Sequence, residues 1–126
     1  MELTKDQLIT VLMTALECFR ADFDPDITAA RINTLLAVSK ESGMQQVDVA
    51  RFVKGLSTSG ISRNVMDWSE LDTKRRPGPE FVQQRPDPQF RRRNLLFVTP
   101  KGSHFLDRLT NHVNKAMSPS KKGKAN

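Results

Sequence analysis

Arginine is the residue in this 126-residue chain whose placement promises chemistry, and that chemistry is phosphate contact rather than bond breaking. Arg75-Arg76, Arg85 and Arg91-Arg92-Arg93 crowd into one stretch. A guanidinium stays charged at physiological pH and presents a planar fork of donors that matches phosphate oxygens. Between residues 74 and 101, these six arginines with Lys74 and Lys101 face only Glu80 and Asp87, a net of +6 that equals the formal charge of the whole chain. The first 26 residues carry six acids against Lys5 and Arg20, a net of −4, while Lys121, Lys122 and Lys124 make the tail basic. One polyanion-seeking segment is thus separated from an acidic end. The plainer alternative is a set of solvated arginines that keep an edge strand from aggregating.

Other chemistries find little support. Ser, His and Asp are present, but no nucleophile-elbow or paired-carboxylate spacing singles any of them out, so no catalytic residue is assigned and no enzyme is expected. Gly55-Leu-Ser-Thr-Ser-Gly60-Ile-Ser has the glycine spacing of a phosphate-binding loop, yet Ile61 occupies the lysine position. Cys18 stands alone, and His104 and His112 lie eight residues apart with no Cys or acid to complete a set, so neither a metal site nor a cofactor is expected. Cys18 reads as a small buried hydrophobe, with a redox switch at a dimer interface as the alternative. No stretch approaches the roughly 18 consecutive apolar residues of a membrane span, and MELTKDQL is too polar for a signal peptide. A cytoplasmic, nucleoid-associated protein with no membrane partner is the expectation.

These residues must be positioned by elements, and the pattern is mainly helical. Apolar residues make up 37% and aromatics 6%, with no Tyr, which fits a lean α-rich fold better than a β-sandwich. Thr4, with Gln7 three residues on, starts a helix over 4–22, along which Leu8, Leu12, Ala15, Leu16, Phe19 and Phe23 recur at three and four. Ile9, Val11 and Cys18 fall off that stripe, so this helix has more apolar surface than one core can cover. Pro25 and Asp26 break the chain before a second helix, about 27–41, with Ile27, Ile32, Leu35, Leu36 and Val38 inside. Met44 to Val47 is a short extended link. Residues 47–54, burying Val49, Ala50 and Val53, and 58–71, burying Ile61, Val65 and Trp68, are two short helices joined by a turn at Gly55–Ser57, the layout of a helix-turn-helix. Opposite the second buried stripe lie Ser59, Ser62, Arg63, Met66 and Glu70.

Pro77-Gly78-Pro79 makes 72–80 a linker. Phe81–Arg85 and Asn94–Val98 then read as a hairpin with a basic tip. A strand-like tip would put Arg91 and Arg93 on one face and Arg92 on the other; a turn would scatter them. Thr99 caps a last helix to about 117, with Pro100 in its first turn and Phe105, Leu106, Leu109, Val113 and Ala116 as an apolar stripe. SPSKKGKAN beyond it reads as a disordered tail.

The order helix, helix, short strand, helix-turn-helix, basic hairpin, helix is that of a winged helix. The stretch from Phe81 to Gly102 resembles the wing of the MarR family of bacterial transcription regulators: Arg85, Asp87, Pro88, Arg92, Thr99, Pro100, Lys101 and Gly102 fall on the family pattern. Leu56-Ser-Thr-Ser-Gly-Ile-Ser-Arg63 is similar to the opening of that family's recognition helix. Phe90 departs from the pattern, standing where the family usually has an acidic residue, and the 72–80 linker is longer than usual. The resemblance implies an α+β, mainly α, winged helix-turn-helix with long N- and C-terminal dimerisation helices and a two-stranded basic wing.

The expected organisation is a dimerisation helix at 1–26, a DNA-binding core at 27–99, a second dimerisation helix at 100–117 and a tail at 118–126. Thr58, Ser59, Ser62 and Arg63 would meet the major groove, and Arg91, Arg92 and Arg93 the adjacent minor groove, with the family pattern favouring Arg92 as the entering residue. Lys74, Arg75, Arg76 and Arg85 would add backbone contacts. Leu8, Leu12, Leu16, Phe19, Phe105, Leu109 and Val113 would form the interface of a homodimer. The function expected is sequence-specific binding of double-stranded DNA to regulate transcription. The rival is a winged helix used for protein interaction or replication assembly, with a protein partner and weak nonspecific DNA binding.

Overall fold

The computed structural model describes residues 2–70 and 75–118. Lys74, the neighbouring part of the expected linker, and residues 119–126 of the expected tail lie outside the described residues. The chain divides into two compact units: residues 1–27 with 106–126, and residues 28–105.

The first unit holds α1 (Lys5–Asp22). Thr4 Oγ1 accepts from the Gln7 amide at 3.0 Å, and Gln7 Oε1 accepts from the Thr4 amide at 2.9 Å, the reciprocal capping pair expected from the sequence. Beyond α1 the turn is set by Arg20 Nε, which donates to the Pro25 carbonyl, and by Asp24 Oδ1, which accepts from the Asp26 amide. Leu8, Ile9, Leu12, Met13 and Leu16 are exposed along α1, whereas Phe19 is buried.

The second unit opens with α2 (Ala29–Lys40). It begins two residues later than expected because Thr28 supplies the cap, its hydroxyl accepting from the Arg31 amide at 3.1 Å. Ile27 is therefore outside the helix. Leu36, expected inside, is exposed, because the buried stripe Ile32, Leu35 and Val38 fixes the helix rotation and Leu36 lies about 100° off it. Thr34 takes an interior place instead by donating its hydroxyl to the Ala30 carbonyl at 2.8 Å.

Met44–Gln45 is more than a link. It is the short strand of the expected order, β1, whose Met44 pairs with Leu96 and Gln45 with Leu95, so it joins the two wing strands in a three-stranded sheet. Gly43, at φ +97°, makes the turn into it and donates to the Leu96 carbonyl at 2.6 Å. The following segment winds as a 3-10 helix over Gln46–Arg51 in place of an α-helix to 54. Val49 and Val53 are buried as expected, but the tighter winding turns Ala50 out to solvent.

The second helix of the expected helix-turn-helix is α3 (Thr58–Asp67), four residues shorter than the pattern suggested. It stops because the Trp68 carbonyl is committed elsewhere: the amides of Phe81 and Val82 both donate to it, at 2.8 and 2.9 Å. Strands β2 (Val82–Pro86) and β3 (Asn94–Val98) pair antiparallel, Val82 opposite Val98 and Arg85 opposite Leu95, giving the order β1-β3-β2. Met44, Val82 and Leu96 fill the inner face.

Helix α4 (Pro100–Met117) starts in this unit. The Thr99 hydroxyl accepts from the Gly102 amide at 3.1 Å and donates to the Glu80 carbonyl at 2.6 Å, which fixes the helix start to the entry of β2. The rings of Trp68, Phe81 and Phe105 stack in series, with centroids 5.9 and 5.0 Å apart, and lie in the centre of the core. Along α4, Phe105 is buried, Leu106, Leu109 and Val113 are half-buried, and Ala116 is exposed. No described helix is long and apolar enough to cross a membrane.

Candidate nucleic-acid interface

Helix α3 presents two chemically different faces. Ile61, Val65 and Trp68 are inside, packed toward α2 and the 3-10 helix. The Trp68 indole N–H donates to the Arg31 carbonyl at 2.7 Å, and the Arg31 guanidinium lies over the indole at 5.1 Å, so α2 holds the end of α3 by both backbone and side chain. Arg31 also stands 4.0 Å from the Asp67 carboxylate, which offsets the acidity of that end.

The outer face is small, polar and cationic. Ser57 caps the helix, its hydroxyl accepting from the Gly60 amide at 3.0 Å and sitting 3.2 Å from the Ser59 hydroxyl. Helix geometry leaves the amides of Thr58 and Ser59 without intrahelical acceptors, and the helix dipole adds partial positive charge at that end. Thr58, Ser59, Ser62 and Arg63 are all exposed, and with Ser57 they line one open hollow. Arg63 has no hydrogen-bond or ionic partner among the described residues. Ser57 was absent from the residues expected to matter, although a serine three residues before Gly60 at a helix start is a legible cap signal.

The wing sorts its arginines by what holds them. Arg85 donates to Gln83 Oε1 from Nε and Nη2 at 3.3 and 3.0 Å, and its guanidinium lies 4.4 Å from the centre of the Phe97 ring. Arg93 donates to Gln45 Oε1 at 3.2 Å and lies over the Phe90 ring at 4.9 Å. Arg91 and Arg92 are exposed and have no partner among the described residues. The tip is a turn, closed by the Asp87 amide on the Arg93 carbonyl and the Arg93 amide on the Phe90 carbonyl, both at 2.8 Å, so the strand-like pairing of Arg91 with Arg93 does not arise. Asp87 is buried and accepts from the Gln89 amide at 2.9 Å, which gives this acid a structural task inside the basic tip.

A cleft of about 840 Å³ runs between Met66 of α3 with Ser69 and Glu70 just beyond it, β2 (Val82, Gln83, Gln84) and the α4 start, so helix and wing border a common space. Arg75, at φ +63°, lines it, while Lys101 and Glu80 pair across it at 3.0 Å. Arg76 is exposed nearby in sequence. Among the described residues no group of three metal-ligating side chains comes together, and His104 and His112 are both exposed. Burial, with Asp22 and Glu17 nearby, pushes the Cys18 thiol above its ordinary pKa. Two members of the expected dimer surface change place: Phe19 and Phe105 are buried within the chain, leaving Leu8, Leu12 and Leu16 exposed and Leu109 and Val113 half-buried.

No family sequence model matches the chain, and no curated protein matches it in sequence. Solved structures do. The crystal structure of MarR superposes with a TM-score of 0.55 at 20% identity, over 90% of this chain and 82% of that one. The PcaV transcriptional regulator from Streptomyces coelicolor, in complex with its natural ligand, gives 0.56 at 24% identity over 92% and 80%. A transcriptional regulator from Thermotoga maritima gives 0.59 at 19% identity over 82% and 67%. The fold they share with this chain is the winged helix-turn-helix of MarR-type regulators.

Proposed function

We propose that this chain is a MarR-type transcriptional regulator that binds double-stranded DNA sequence-specifically as a homodimer and performs no catalysis. The observation that carries the reading is the sorting of cations. Arg31, Arg85 and Arg93 are engaged by their own fold, while Arg63 on the outer face of α3 and Arg91 and Arg92 on the wing tip have no described partner. Cations left unpaired on two elements that border one cleft suit a polyanion with grooves on either side of a backbone. Ser59, Ser62 and Arg63 would read the major groove, the Thr58 and Ser59 amides would receive a phosphate, and Arg91 and Arg92 would enter the adjacent minor groove. Arg75, Arg76 and Lys74 would add phosphate contacts.

The exposed face of α1 supports the dimer. Leu8, Leu12 and Leu16 recur at i, i+4 and i+8, Ile9 and Met13 run beside them, and all five are at least 44% exposed. An apolar stripe of this length on a helix is costly to leave in water, and a second copy would cover it. Leu109 and Val113 would join this interface, in a protein acting in the cytoplasm on the nucleoid. Selection of bound sequences from random duplex DNA tests the reading: a pseudo-palindrome is expected from a dimeric regulator. Retention of no preferred sequence would favour a protein-interaction or replication-assembly module.

A further inference from the structure

Phe90 is the one aromatic side chain among the described residues that is largely exposed, at 52%, and it sits at the tip of the wing. Burial does not explain it, because half of the ring is left in water. Nor is it loosely held. The Phe90 carbonyl accepts from the Arg93 amide, and the Arg93 guanidinium lies over its ring while donating to Gln45 on β1. The ring is therefore braced from the sheet side, at the end of a two-stranded element, between a buried Asp87 and the unpartnered Arg91 and Arg92. An apolar group fixed at the point of a narrow cationic projection is the chemistry of a wedge: cations draw the tip to the phosphate walls of a minor groove, and the apolar group enters the base stack.

Resting on the reading of the chain as a duplex-binding regulator, we propose that Phe90 inserts between two base pairs from the minor groove, unstacks that step and kinks the DNA toward the major groove. The braced guanidinium of Arg93 keeps the ring directed while Arg91 and Arg92 hold the phosphates that line the opened minor groove on either side of the ring. The preferred position would be a pyrimidine–purine step, which unstacks most easily, so part of the sequence preference comes from deformability rather than base-edge hydrogen bonds.

The test uses the full chain and a duplex recovered from random-sequence selection, with 2-aminopurine placed singly at successive positions under the wing and donor and acceptor dyes at the duplex ends. The expected result is a severalfold rise in 2-aminopurine fluorescence at one step per half-site, with a shortened end-to-end distance. Phe90→Ala should remove both signals and weaken binding by about tenfold, as loss of an aromatic–base stack does elsewhere, while Phe90→Leu, which keeps an apolar wedge, should retain most of the bend. Unchanged circular dichroism of the variants separates this from misfolding. Tight binding by the natural chain with flat 2-aminopurine signals, or a bend that survives Phe90→Ala, overturns the wedge alone. Failure of the natural chain to bind any duplex overturns both the wedge and the reading beneath it.

Discussion

Gly102→Ala sets two familiar effects against each other, and the structure decides between them. Replacing glycine by alanine inside a helix ordinarily stabilises by about 0.5–1 kcal/mol, through reduced backbone freedom in the unfolded chain. At Gly102 a Cβ would lie 2.6 Å from the Phe81 carbonyl oxygen, 2.9 Å from Val98 Cγ2 and 3.1 Å from Phe81 Cβ. The oxygen has nowhere easy to go, since it accepts from the Thr99 amide at 2.9 Å, and the Phe81 ring is held between Trp68 and Phe105. Relief requires α4 to move off β2 by roughly half an ångström, an overpacking strain of about 1–3 kcal/mol, and weakening of the Thr99 bond adds about 1 kcal/mol. The clash wins, leaving a net destabilisation of about 1–3 kcal/mol. Urea unfolding followed by Trp68 fluorescence measures it: with a slope of about 2 kcal/mol/M, the midpoint should fall by about 1 M at unchanged slope. A midpoint equal to or above that of the natural chain would refute the packing argument.

Arg63→Ala should weaken binding to a selected site by about 1–3 kcal/mol if the guanidinium makes a bidentate base contact, with helical content unchanged; equal affinity in a fluorescence-anisotropy titration removes Arg63 from the interface. Arg91→Ala combined with Arg92→Ala should flatten the dependence of log affinity on log salt by roughly 0.9 for each phosphate that is no longer neutralised in a half-site, and an unmoved slope means that the tip touches no phosphate. Because burial, Asp22 and Glu17 disfavour the Cys18 thiolate, alkylation by iodoacetamide at pH 7 should be slower than that of a free thiol and accelerate only as pH passes above the usual thiol range. Rapid labelling at neutral pH would instead mark Cys18 as a reactive thiol.

What could be read from the sequence was local. The Thr4 and Gln7 capping pair, the Thr99-Pro100 helix start and the two short runs that read as the wing strands all depend on residues within a few positions of one another, and all are found in the structure. What escaped depends on distant partners. The end of α3 at Asp67 rather than 71 is decided by Phe81 and Val82 competing for the Trp68 carbonyl, and no propensity at 68–71 records that competition. The short strand at Met44 is legible, but its place in the sheet is not, because that needs Met44 to find Leu96. Short apolar segments are also ambiguous in type: Gln46–Arg51 has too few turns for its period to separate α from 3-10 winding, and Ala50 is misplaced in consequence. The arginines show the same limit most clearly. Their number and clustering are visible in the chain, but which are free is not, because Arg93 is held by Gln45, 48 residues away, and Arg85 by Phe97 across the hairpin.

That division has an energetic consequence for recognition. The Trp68, Phe81 and Phe105 stack joins the end of α3, the root of β2 and the start of α4, and the bond from the Trp68 indole to Arg31 adds α2 to the same rigid cluster. The two elements that would face DNA are thus set relative to each other before any ligand arrives, by buried ring contacts that water cannot loosen. Ordering a long side chain on binding costs about 0.5–1.5 kcal/mol, and this cost falls only on groups that are mobile beforehand. Arg85 and Arg93 have already met it within the fold, through stacking and hydrogen bonds. Arg63, Arg91 and Arg92 have not, and their freedom allows each to adjust to the groove width and phosphate spacing it meets. A rigid frame with a few adaptable cations favours sites whose shape matches the frame, because the frame cannot follow a duplex that does not fit.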